Sequence, residues 1–371
     1  MTNIPLFNLE RQVKQIEKEV LHKWQLALNN TEFTGGKYID QLEKKAASFF
    51  QTKYALGVAN GTASLFISLK AAGVGPGDEV ITTPLTFCAT ADAIGHVGAR
   101  PVFVDVQETT GNIDPGKIES AITKKTKAIL IVHFYGVPCE LTTLKKITKK
   151  HNLSLIEDAS HAHGSLYKNK PVGSWGLAGC FSLYPSKTIG AFGNAGLITS
   201  NNQDFIRKAR MYANHGIKLN KPNRTHYVHG FNELIDNIQA AVILTQFKTV
   251  KKRIQKKKQI AQKYNQIFKE FGHLGMSWPN FVDPSLYVYA IKIKTRAKFI
   301  NHMEKRGIGT GIYYPLPLHL QPSFSQLGYK RGDFPIAESF ANQTVSIPLY
   351  SHLTKVEIAR IITAIRDFFK D

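Results

Sequence analysis

One lysine, Lys187, stands in the stretch FSLYPSKTIGAFGNAG (181–196) among small and apolar residues, with glycine and alanine concentrated just after it. Folding normally keeps an ammonium in water, because burying one is costly unless it is neutralised or paired. Two readings follow. Lys187 is a loop lysine that borders an apolar strand, or it is an amine held in a dry pocket. In the second case its pKa falls until it can attack a carbonyl and form a Schiff base with a substrate or with pyridoxal phosphate.

An amine used in that way needs companions. In GVANGTASLFISL, Gly61 follows a strand and Thr62 and Ala63 open a helix, so backbone N–H groups and the helix dipole make an anion site suited to a phosphate. The same Asn-Gly-Thr is also an ordinary turn and cap. In LSLIEDASHAHG (153–164) an apolar strand delivers Glu157 and Asp158 at its C-terminal edge, where open α/β sheets place ligands. One carboxylate there can pair with a pyridinium nitrogen, and Asp158 can equally be a helix cap. Phe87, in TTPLTFCAT, is either core or a ring that stacks on a planar ligand. Ser182 lies five residues before Lys187 and has a hydroxyl for the same phosphate. His161 and His163 are two apart with no third ligand in view, so no metal is expected. Neither GxxxxGK[ST] nor GxGxxG with a downstream acid occurs, which removes the P-loop and dinucleotide readings.

The elements that must position these residues are legible in the same pass. From about residue 55 to 200 the runs YALGVAN, DEVITT, PVFVDV, KAILIVHF, LSLIED, GCFSLY and GLITS alternate with helical patterns such as LFISLKAAG (65–73) and ELTTLKKITKKH (140–151). That rhythm predicts an α/β fold, a mostly parallel mixed sheet covered by helices on both faces. The large domain is expected over 1–245. A smaller α+β domain is expected over 246–371, with a strand at LYVYAIKIK (286–294) and helices at KFINHMEKRG and VEIARIITAIRDFF. The N-terminal segment is open to packing on the small domain. The polar, basic stretch 215–230 reads as a loop.

Composition sets the outer bounds. A chain of 371 residues with 43% hydrophobic residues can bury a large core and exceeds one typical domain. Its longest apolar runs fall far short of the ~20 residues of a membrane helix, and the first residues lack a signal-peptide core, so a cytoplasmic protein with no membrane partner is expected. Cys88, Cys139 and Cys180 are odd in number and outside any CxxC spacing, which fits a reducing compartment. The net charge of +21 is the one feature that points to nucleic acid. Its densest run, KKRIQKKK (251–258), alternates with Val250, Ile254, Ala261, Tyr264, Phe268 and Phe271 at helical spacing, so these lysines read mostly as the wet face of an amphipathic helix. No nucleic-acid partner is expected, and a non-catalytic basic binding protein is kept as the rival.

Taken in order, ANGTASL, TFCATADAI, EDASHAHG, CFSLYPSKTIGAFGNAG, ANHG and GFNELIDNIQAA closely resemble the DegT/DnrJ/EryC1/StrS family of nucleotide-sugar aminotransferases. IPLFNLERQ at the start and GIYYPLPLHLQPSF, GDFPIAE and SIPLY near the end extend the resemblance over nearly the whole chain. It implies the aspartate aminotransferase-like fold, fold type I of the pyridoxal-phosphate enzymes, with pyridoxal 5'-phosphate as cofactor. By resemblance Lys187 is the lysine that binds the cofactor and then works as general base and acid, and Asp158 stands beside the pyridine nitrogen. Phe87 covers one ring face, and Ser182 with Gly61, Thr62 and Ala63 forms the phosphate cup. Asn232 reaches the phosphate of the neighbouring subunit in a homodimer with shared active sites. Tyr314 and His319 border the sugar-nucleotide site. Two positions depart from the usual pattern: His161 replaces a glutamine near the ring hydroxyl, and Leu234 replaces an arginine two residues after the asparagine. The implied reaction moves an amino group from L-glutamate to a 3- or 4-keto-6-deoxy sugar linked to dTDP, UDP or GDP, for amino-sugar and polysaccharide biosynthesis. The LERQ-type opening leans towards 3-amination. A related sugar dehydratase is the nearest alternative, and it replaces the lysine by histidine.

Overall fold

In the computed structural model, which describes residues 3–218, 225–273 and 275–370, the alternating pattern becomes a twisted sheet wrapped by helices. Helices α1 (Leu9–Asn29) and α2 (Lys37–Phe49) precede β1 (Tyr54–Val58) and α3 (Gly61–Ala71). Then come β2 (Glu79–Thr82), α4 (Ala89–His96), β3 (Arg100–Phe103), β4 (Thr126–Val132), α5 (Leu141–Lys150) and β5 (Ser154–Asp158). A short hairpin of β6 (Leu166–Tyr167) and β7 (Lys170–Pro171) leads to β8 (Ala178–Ser182) and β9 (Gly196–Ser200). The main sheet has seven strands in the order β1-β9-β8-β5-β4-β2-β3. All its neighbours pair in parallel except those of β9, which runs antiparallel to both β1 and β8. Parallel strands are buried on both faces, which is why AILIV at 128–132 is an unbroken apolar run.

Beyond β9 lie α6 (Gln203–Ala213), α7 (Asn237–Phe247) and the long α8 (Val250–Glu270). The chain then forms β10 (Val282–Asp283), which joins β6, and β11 (Tyr289–Lys292). It ends with α9 (Arg296–Lys305), α10 (Pro335–Gln343), β12 (Thr344–Ile347) and α11 (Lys355–Lys370). Strands β11 and β12 pair antiparallel, and α8, α9 and α11 bury Tyr264, Phe268, Phe299 and Ile361 around them. Each such side chain contributes ~1.5–3 kcal/mol by leaving water. Ile4 belongs to this same apolar cluster and pairs in parallel with Ile308, so the N-terminal segment packs here. Of the expected loop 215–230, residues 219–224 lie outside the described residues; flanking them, Ile217 pairs with His226.

Helix α8 corrects one expectation. Lys251, Lys252 and Lys256 do face solvent, but Arg253 and Lys257 are buried. They stand four residues apart, which puts both on the inner face beside Val250, Ile254 and Ala261.

Candidate functional site

The C-terminal ends of the parallel strands open into a cavity of about 860 Å³, walled on its far side by Tyr287, Tyr313 and Tyr314. Gly61 and Thr62 after β1, Thr86, Phe87 and Thr90 after β2, Asp158 and His161 after β5, and Ser182 and Lys187 after β8 all line it. Four segments that are distant in sequence, at the C-terminal ends of β1, β2, β5 and β8, therefore meet at one sheet edge, where a parallel topology places its ligand.

Lys187 sits in the connection between β8 and β9, its backbone N–H donating to the Tyr184 carbonyl at 2.8 Å. Its ammonium lies 4.3 Å from the centroid of the Tyr287 ring. Burial pulls its pKa down from 10.5 to about 8, against the opposing pull of Asp158. A substantial share of this amine is therefore neutral and nucleophilic near physiological pH.

Strand geometry decides between the two acids on β5. Successive side chains point to opposite faces, so only one of them can face the cavity. Glu157 turns into the protein and accepts backbone N–H groups from Gly173 at 2.7 Å and from Trp175 and Gly176 at 2.8 Å, with His133 Nε2 at 3.1 Å. Burial alone would raise its pKa, but His133 and these N–H groups hold it below the usual value. Asp158 faces the cavity. Its Oδ2 accepts from the Thr90 hydroxyl at 2.9 Å, and its Oδ1 accepts the Ser160 N–H at 3.1 Å in a turn. No helix begins there, so Asp158 is not a helix cap.

The anion site takes shape at the start of α3. Asn60, in extended conformation, accepts the Ala63 N–H on Oδ1 at 2.8 Å and caps the helix. Of the three residues expected in the cup, Gly61 and Thr62 line the cavity, whereas Ala63 does not and its N–H donates to this cap. A Cβ on Gly61 would come within 2.5 Å of the Ser182 Cβ, so the absence of a side chain is what lets α3 and the end of β8 close up.

Phe87 presents a 55% exposed ring, with Tyr314 at 5.8 Å between centroids. His161 is buried and stacked on Tyr287 at 4.3 Å, and its Nδ1 has no partner among the described residues. Burial, then the charges of Lys187 and His163, hold its pKa well below the ordinary value, so it is neutral. Two expected residues lie elsewhere. His319 is buried against Phe334 with Nε2 at 3.1 Å from Glu338, because the 3-10 turn 318–320 folds it away from the cavity. Asn232 is exposed and pairs with Asn214 in an isolated bridge, outside the cavity of its own chain. Among the described residues no group of three or more His, Cys, Asp or Glu is placed to hold a metal ion, and no helix is long and apolar enough to cross a membrane.

Sequence reasoning missed Tyr287, Thr90 and Ser160. Tyr287 alternates with Tyr289 on an apolar run that reads simply as core, and the two hydroxyls carry no spacing that announces them.

Residues 14–366 match the DegT/DnrJ/EryC1/StrS aminotransferase family. The chain is 38% identical to the pleiotropic regulatory protein of Geobacillus stearothermophilus, over 99% of each chain. It is 36% identical to the dTDP-3-amino-3,6-dideoxy-alpha-D-galactopyranose transaminase of Aneurinibacillus thermoaerophilus, over 98% of this chain and 99% of that one. Its structure superimposes on that of DesV from Streptomyces venezuelae, solved in complex with a ketimine intermediate, with a TM-score of 0.96 at 30% identity and full coverage of both chains. The large-cavity α/β architecture, the lysine with its lowered pKa and these likenesses agree: the chain belongs to the DegT/DnrJ/EryC1/StrS aminotransferase family.

Proposed function

We propose that this aminotransferase moves an amino group from L-glutamate onto the 3- or 4-keto carbon of a 6-deoxy sugar carried by a nucleotide. Its cofactor is pyridoxal 5'-phosphate, as in the family. The observation that carries the reading is the juxtaposition, in one cavity, of a buried lysine whose pKa falls to about 8 and the carboxylate of Asp158.

The residues present fit that cofactor. A nucleophilic amine, a cavity-facing carboxylate, a helix start closed against Ser182 and a neutral histidine with an unpartnered Nδ1 surround space bounded by aromatic rings. When bound, pyridoxal phosphate supplies an electron-withdrawing ring that labilises the proton on the donor's Cα. The N–H groups of Gly61 and Thr62 and the Ser182 hydroxyl hold the phosphate at the positive end of α3. Asp158 holds a proton at the ring nitrogen, itself oriented by Thr90 and Ser160. Lys187 Nζ would take the proton from the Cα of L-glutamate and, in the second half of the reaction, deliver a proton to the sugar carbon that gains the amino group. Phe87 would cover one face of the ring, and Tyr314, 5.8 Å from it between centroids, would border the sugar.

The proposal extends to assembly and setting. The working unit is a homodimer in which the exposed Asn232 serves the partner's phosphate, each chain dividing near residue 245 into a large and a small domain. Its three cysteines are free, in keeping with a reducing cytoplasm. Borohydride reduction of the yellow protein followed by peptide mass analysis tests the cofactor attachment. The reduced cofactor is expected on Lys187; attachment to another lysine overturns the assignment.

A further inference from the structure

Lys187 also lines a second, smaller chamber of about 40 Å³, together with Ser186, Thr188, Arg253, Lys257, Tyr287 and Tyr350. The pocket is partly open to solvent, and its volume exceeds the ~10–15 Å³ that holds a water, so it admits a small ion or a carboxylate group. Arg253, Lys257 and Lys187 line it, and none of its lining residues is an aspartate or glutamate. Burial brings the pKa of Lys257 down to about 7 and that of Arg253 only to about 10, so Arg253 is the lasting charge. Arg253 is 8% exposed and Lys257 is 7% exposed. Lys257 Nζ donates to Thr188 Oγ1 at 3.1 Å and to the Leu286 carbonyl at 2.5 Å, both neutral acceptors. Arg253 donates to the Gln246 carbonyl at 3.3 Å, and its Nε has no partner among the described residues. The Tyr350 hydroxyl is likewise buried and unpartnered. Glu357, a carboxylate on neighbouring α11, is committed to Arg11 at 2.7 Å.

Buried cations without a counter-ion are strongly unfavourable, and buried donors without acceptors add to the cost. Here the Arg253 charge, the Lys257 amine and two unused donors line one small pocket. We propose that this chamber is an anion site, taking one halide ion or one carboxylate group between Arg253, Lys257 and the Tyr350 hydroxyl. An anion seated there also supplies the negative charge that the surroundings of Lys187 otherwise take from Asp158 alone.

The test uses the full-length protein with its cofactor, and bromide as the probe because it scatters anomalously. Crystals soaked in sodium bromide are expected to show an anomalous peak in the chamber. In solution, sodium bromide should raise the melting temperature saturably relative to sodium methanesulfonate, neither a halide nor a carboxylate, at equal ionic strength. Arg253→Met should remove the peak and weaken the apparent bromide affinity about tenfold or more, the loss expected for a charge-assisted hydrogen bond. Should that variant fail to fold, Tyr350→Phe, which removes one donor and no charge, is measured instead, with a smaller weakening expected. Adding sodium acetate distinguishes the sources: loss of the bromide peak assigns the site to carboxylates, and its retention assigns it to halides. A well-ordered wild-type crystal with no bromide in the chamber overturns the proposal, as does an equal response in the folded variants. None of these readouts requires transamination, so the anion site can fail while the proposed function stands.

Discussion

Lys187 is the residue on which the proposed chemistry depends, and its lowered pKa is directly measurable. Only the neutral amine reacts with an acylating reagent, so in the cofactor-free protein labelling of Lys187 should rise as pH passes through about 8 and fall away below it. Peptide mass analysis after brief labelling between pH 6.5 and 10 gives the midpoint; a value near 10.5 would mean that burial does not act on the amine. Asp158→Asn tests the second residue. The amide keeps an oxygen for the Ser160 N–H, and the Thr90 hydroxyl can turn to accept, so the melting temperature should move little. Turnover should fall by ~10²-fold or more, the scale of a positioned acid–base group. Unchanged turnover would return Asp158 to a structural role. Both residues were legible in the sequence because each breaks a local rule: a charge in an apolar stretch, and an acid at a strand end. Tyr287 breaks none, and its place under Lys187 follows only from tertiary packing.

At the scale of elements, the α3 start and the β8 end form one unit held by close approach. Gly61→Ala sets a Cβ at 2.5 Å from the Ser182 Cβ and 2.9 Å from its Cα, and the backbone atom has little room to give. The expected destabilisation is ~1–3 kcal/mol, the range for overpacking, together with weaker retention of the cofactor. Thermal unfolding and dialysis against cofactor-free buffer measure the two effects; normal stability with normal retention would remove the reason given for the glycine. The strands of the sheet were readable because parallel strands buried on both faces are continuous apolar runs. The surroundings of Ala63 and His319 were not. Helix capping by Asn60 consumes one N–H, and a 3-10 turn carries His319 to Glu338; neither event leaves a mark in residue spacing. The buried Arg253 and Lys257 did leave one, four residues apart on the apolar side of α8, but a dense run of basic residues hides it.

For the whole molecule, Asn232 is the expected phosphate residue that the single chain leaves exposed. It lies outside its own cavity, next to Phe231, which is 37% exposed and packs edge-on against the cavity-lining Phe66. Chains bearing Lys187→Ala and Asn232→Ala, each impaired alone, should regain activity when refolded together, because their heterodimer contains one site with both defects and one with neither. Heterodimers that form but stay inactive would mean that each chain completes its own site. The most direct test of the central claim follows the nitrogen itself. Incubating the protein with ¹⁵N-labelled L-glutamate and a panel of nucleotide-linked 3- and 4-keto-6-deoxy sugars, with mass detection, should yield a ¹⁵N-amino sugar nucleotide from the wild-type protein and none from Lys187→Ala. A label that never leaves glutamate for any acceptor, with the cofactor bound, would contradict it, and so would an equal yield from the variant.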